Sequence, residues 1–105
     1  MPPPSRLRRL PLVTVAAVAG FEVRCANTPL ARMRGLAGLR ALPPGTALLL
    51  PRTRSIHTFG MRFALDLIWL DGDDRIVRID RGVPPRRLRA CRHARAVIEL
   101  PADAR

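Results

Sequence analysis

The chain has no lysine and no tyrosine, and it carries only two cysteines and one tryptophan. Each shortage excludes something. Two cysteines cannot staple a disulfide-dense mini-scaffold. No apolar stretch approaches the roughly 20 residues that a membrane-spanning helix needs, so none is expected. The few aromatics (Phe21, Phe59, Phe63 and Trp69) offer little base-stacking surface for nucleic acid. Acidic residues are scarce as well: eight stand against nineteen basic ones, giving a formal net charge of +11. Every basic residue is arginine. Beside abundant Ala, Pro and Leu, that skew reads as a bias toward GC-rich codons, so the choice of Arg over Lys says little about function. The charge itself is physical and draws the protein toward anionic partners. Yet Arg is scattered through the chain, clustering only at Arg6, Arg8 and Arg9 and again from Arg86 to Arg95.

What remains is a globular balance. At 105 residues, 48% hydrophobic and 26% charged, the chain makes one domain. A domain of this size buries about 60–70% of its extended-chain surface. Residues 1–9 read as a basic disordered tail, and 10–105 as a single β-rich domain. The opening imitates a secretion signal, with a basic start, an apolar stretch and small residues. That stretch is β-branched, however, and runs into the alternating Phe21-Glu22-Val23-Arg24-Cys25. A hairpin of Leu12–Ala17 with Phe21–Cys25, turning near Gly20, is the preferred reading, and a cytoplasmic location follows from it; export through a signal is the alternative.

Thr28 suits a helix cap and Pro29 a first helical turn. Leu30, Met33 and Leu36 then recur at helical spacing, which predicts one short amphipathic helix. Pro43-Pro44-Gly45 breaks the chain before a short strand over Thr46–Leu50. Phe63–Leu70 and Arg75–Asp80 flank the turn Asp71-Gly72-Asp73-Asp74 as a hairpin. Arg95–Leu100 is a final strand. The expected fold is α+β and mostly antiparallel, a small barrel-like sheet with one short helix packed against it.

One strand is informative. Alternation puts Phe63, Leu65, Leu67 and Trp69 on one face and Ala64, Asp66, Ile68 and Leu70 on the other. Both faces are apolar, so the strand is buried on both sides. Asp66 is then a lone acid among hydrophobic neighbours. Unpartnered, it would cost several kcal/mol or stay protonated, so it needs an Arg, a His or backbone N–H groups.

Arg34-Gly35-Leu36, Pro43-Pro44-Gly45, Leu48-Leu49-Leu50, His57-Thr58-Phe59-Gly60-Met61-Arg62-Phe63, Leu65-Asp66, Trp69-Leu70-Asp71 and Val97-Ile98-Glu99-Leu100-Pro101, in this order, resemble the domain-of-unknown-function 192 family. The resemblance covers roughly Val13 to Pro101 and implies a small β-rich domain of bacteria or archaea, with no activity attached. Its hallmark is an aromatic-x-Met segment followed by a Leu-Asp pair, here Phe59-Gly60-Met61 and Leu65-Asp66. Many members carry Asn-Thr after the Met, where this chain has Arg62-Phe63.

Several constellations could carry chemistry. Ser55, His57 and Phe59 share a strand face, and His57 could meet Asp66 as an oriented pair. No nucleophile elbow or Gly-rich oxyanion loop surrounds Ser55, so a buried structural hydrogen bond competes with hydrolase-like catalysis. Cys25, Cys91, His57 and His93 do not form a zinc pattern, because Cys91-x-His93 is not a usual spacing and no CxxC occurs. The Asp71, Asp73, Asp74 group is a solvated turn, not a calcium loop. No metal or cofactor is called for. Arg52, Arg54 and Arg62 bracket His57. The expected site is a groove of His57, Phe59, Met61 and Asp66 edged by these three arginines, in a non-enzymatic binding or accessory domain for a small anionic ligand or an acidic protein segment. An enzyme using His57 with Asp66 and a basic nucleic-acid-binding domain are the alternatives.

Overall fold

The computed structural model of the chain describes residues 3–102. Strands β1 (Leu12–Val13), β2 (Glu22–Cys25), β3 (Thr46–Pro51), β5 (Leu65–Leu70), β6 (Ile76–Val83) and β8 (Ala96–Pro101) form one sheet in the order β1-β2-β3-β8-β5-β6. Strands β4 (Ser55–His57) and β7 (Leu88–Ala90) pair antiparallel as a second, small sheet. Two short helices, α1 (Ser5–Arg8) and α2 (Pro29–Arg34), complete the β-rich α+β fold. The main sheet ends at β1 on one side and β6 on the other, so it is open and not a barrel. It is also mixed, because β2 and β3 run parallel. The chain between them carries α2, a crossover connection that a hairpin turn could not replace. No helix among the described residues is long and apolar enough to cross a membrane.

The main sheet has a core on each face. On one, Leu48, Leu50, Leu65, Leu67, Trp69 and Val97 pack with Leu7, Leu36, Ile56, Met61 and Cys91. On the other, Ala47, Ile68, Leu70, Ile98 and Leu100 pack with Val15, Val18 and Val23. Every residue of β5 is buried, as its two apolar faces require. Helix α1, the turn after α2 and the small sheet supply the first core. The second is completed by the segment around Val15 and Val18, where a 3-10 turn at Ala16–Val18 stands inside the connection of the β1–β2 pair.

Three local expectations change. Residues before Leu10 do not form a disordered tail over their described part: Leu7 is buried in the first core, and Arg6 Nη2 donates to the Gly35 carbonyl at 2.8 Å. One apolar residue in a basic run is enough to anchor it. Residues 1 and 2 of that expected tail lie outside the described residues. In α2, the Thr28 hydroxyl caps the Ala31 N–H at 3.1 Å with Pro29 at the first helical position, but the expected apolar stripe is not buried. Leu30 and Met33 are exposed, and Leu36, beyond the helix, is the residue that reaches the core. Gly35 causes this: its φ of +51° turns the chain inward just after Arg34. Finally, β7 was not anticipated, since three residues amid arginines show no strand period of their own.

Candidate functional site

The site begins with where β8 lies. It pairs with β3 and β5, and Glu99 stands opposite Leu48 on one side and Leu67 on the other. Both belong to the first core, so the Glu99 side chain enters it from the sheet. The residue is only 1% exposed. No ion pair among the described residues includes it. Burial pushes its carboxyl pKa up to about 7, opposed by a hydrogen bond from the Leu36 backbone N–H. Its Oε1 has no hydrogen-bond partner. Space for that oxygen exists because residue 35 has no side chain: a Cβ on Gly35 would sit 2.6 Å from it.

Glu99 lines a cavity of about 90 Å³ together with Arg32–Gly35 at the end of α2, Ser55–His57 of β4, and Met61. His57 clasps the two walls. Its Nε2–H donates to the Met33 carbonyl at 3.2 Å, while Nδ1 accepts the Phe59 N–H at 3.2 Å. Backbone groups therefore use both ring nitrogens and hold the ring in place. The Phe59 ring, half exposed, is tilted against the imidazole at 6.0 Å. A shallower and wider cleft of about 440 Å³ lies along β4 and β7 and includes Arg89 and Leu88. Arg32 adds a second anomaly, for its Nη1 is buried without an acceptor.

The expected groove divides. His57 and Met61 share the cavity, with Phe59 against His57. Asp66 lies on the opposite face of the sheet, so the anticipated pairing with His57 does not form. Its position in β5 follows the alternation that sends Ile68 and Leu70 into the second core. There Asp66 Oδ1 accepts the Gly82 N–H at 2.9 Å, and Arg81 approaches Oδ2 at 3.8 Å. A separate groove of about 260 Å³ runs past it, floored by Phe21, Ile68 and Leu100. Arg52, Arg54 and Arg62 are exposed and line neither of the two cavities that contain His57. The arginines that do line them are Arg32, Arg34 and Arg89.

Sequence reasoning thus missed Glu99, Gly35 and Arg32 as site residues. Glu99 gave only a weak signal, a single acid beside Val97, Ile98 and Leu100 that reads equally as the solvent side of a strand. Cys25 and Cys91 are both free thiols, and burial pushes the Cys25 thiol pKa up while Arg32 and Arg52 pull it down. No group of three or more metal-ligating side chains occurs among the described residues.

An open mixed sheet with a core on each face and one cleft-floor carboxyl defines a small β-rich α+β domain. The sequence matches the model of the DUF192 family, described as Uncharacterized ACR, over residues 12–105, and the chain belongs to that family. Gly35 and Glu99, which touch in space, lie in two of the segments that carry the resemblance. No curated protein matches the chain significantly. Among solved structures, a protein of unknown function from Novosphingobium aromaticivorans is similar, with TM-score 0.71, 19% identity and 79% of this chain covered. This chain spans 64% of that protein's length. A Sinorhizobium meliloti structure described as a "putative transcription regulator" is similar at TM-score 0.72 and 24% identity, covering 80% of this chain and 70% of its own. Identities this low show the fold.

Proposed function

We propose that this is a non-enzymatic binding or accessory domain that takes a small anionic ligand in the cleft between α2 and β4. The observation that carries the reading is the Arg32 guanidinium, whose Nη1 is buried with no acceptor in a residue that lines this cleft. A buried charged donor without a partner costs more than a neutral one, and an oxyanion repays that cost with charge-assisted bonds. Arg34 on the same wall and Arg89 beyond β4 add to the attraction. The overall charge of +11 speeds encounter with such a ligand or with an acidic protein segment. His57, Phe59 and Met61 shape the rim, and Arg52, Arg54 and Arg62 contribute to the surrounding field. A hydrolase using His57 with Asp66 has no support in the geometry, because both imidazole nitrogens are committed to backbone and the aspartate is across the sheet. On the same reading the protein works in the cytoplasm, since the apolar N-terminal stretch serves as β1 and as the buried Val15 and Val18.

Thermal-shift and calorimetric titration with phosphate, acetate and formate test this. A ligand at 100 times its Kd adds about 2.7 kcal/mol, a rise of several degrees in Tm. Arg32→Ala abolishes the shift. Absence of any shift, or a shift indifferent to Arg32, removes the reading. A second reading rests on the net charge of +11 and on the fold shared with the Sinorhizobium protein of that description: binding to DNA. It requires affinity that falls steeply with salt, and salt-independent or absent binding to duplex DNA eliminates it.

A further inference from the structure

Glu99 makes a demand on the same cleft that an anion alone cannot meet. Its carboxyl is 1% exposed, lies on the cavity floor and has one oxygen without a partner. The opening that receives this oxygen depends on Gly35, so the carboxyl is lodged at the cavity by the backbone itself and not by a swinging side chain. The charged or titratable groups sharing the cavity are Arg32 and Arg34 from α2 and His57 from β4, and neither arginine is within ion-pair distance of it. The cavity volume is about 90 Å³. It is far below the ~300 Å³ at which sites for drug-sized ligands begin, so only a very small molecule fits inside.

We propose that the cleft binds a small zwitterion of the α-amino-acid class, with Glu99 accepting hydrogen bonds from its ammonium group and Arg32 holding its carboxylate. This rests on the anionic-ligand reading and adds the second charge. An ammonium offers three donors and a full positive charge to an acid that otherwise has a single backbone N–H. It favours the ionised carboxylate, so a Glu99 that is partly protonated near neutral pH releases its proton when the ligand arrives. Ile56 and Met61 add apolar surface to the walls.

The test is calorimetry on the full chain at pH 6.5, with glycine and L-alanine as probes beside acetate and methylamine, in two buffers of different ionisation enthalpy. Glycine or alanine is expected to bind about ten-fold or more tighter than acetate, the worth of one charge-assisted hydrogen bond, and to release a proton. Glu99→Gln retains acetate binding, loses the amine-dependent gain and releases no proton, which assigns the proton to Glu99 and not to His57. The wild-type comparison needs no variant and survives a misfolded one. Acetate binding as tightly as glycine, or proton release unchanged in Glu99→Gln, overturns this inference and leaves the anion reading in place. Failure of every probe, acetate and phosphate included, overturns both.

Discussion

The two faces of the main sheet each bury one acid, and they treat it in opposite ways. Asp66 on β5 receives the Gly82 N–H and the approach of Arg81. Glu99 on the neighbouring strand β8 is offset by one residue from the Asp66–Leu100 pair, so it emerges on the other face. There it meets one backbone N–H, no ion pair among the described residues and a cavity. An acid with its partners in place braces a fold. An acid held dry without them binds its proton more tightly and stays available to a ligand. Burial alone does not separate structural from functional carboxyls; the number of donors already satisfied does.

The sharpest way to break this contrast is at Gly35. Gly35→Ala forces a side chain onto a φ of +51° and against the Glu99 carboxyl. The expected loss is about 3 kcal/mol in urea denaturation. A loss under about 1 kcal/mol would mean that the two residues are not in contact. Next in size is the pH dependence. Glu99 has a folded pKa of about 7 against an ordinary value of 4.5, so the folded state binds the proton more tightly. The stability this confers is full below about pH 4.5 and declines as pH rises to about 7, a fall of about 3 kcal/mol. Denaturation from pH 4.5 to 8 should show that descent in the wild type and not in Glu99→Gln. Asp66→Ala comes third: it leaves the Gly82 N–H without an acceptor and should cost about 2 kcal/mol, with no change in ligand binding at the α2–β4 cleft. Loss of binding there would couple the two faces and dissolve the contrast. Smallest is Arg81→Ala. Its side chain is 62% exposed, so about 0.5 kcal/mol or less is expected, fading with salt.

How much of this was legible depends on whether a feature is local. The Thr28 cap, Pro29, the break at Pro43-Pro44-Gly45 and the β5–β6 hairpin were visible because their physics acts within a few residues. So was the enclosure of Asp66, which follows from strand alternation alone. Its placement beside His57 was not, because alternation assigns a face but not the neighbour across space. Glu99 shows the same limit. In Val97-Ile98-Glu99-Leu100 the acid passes for the solvent side of a half-buried strand, and only the pairing of β8 with both β3 and β5 makes it central. Leu30 and Met33 misled for a related reason: helical period marks an apolar stripe, yet Gly35 decides whether that stripe meets the core.

The strand order carries one more consequence, for how the molecule is made. β8 is the last in chain order of the described strands, yet it lies between β3 and β5. Until it arrives, the β1-β2-β3 portion and the β5–β6 hairpin are two fragments with bare edges facing each other. On the ribosome the early strands wait for β8 before the sheet can close up, since no local contact substitutes for the missing strand. A message cut short before Ala96 therefore yields sticky half-sheets fit for proteolysis or aggregation, not a slightly smaller version of the same domain.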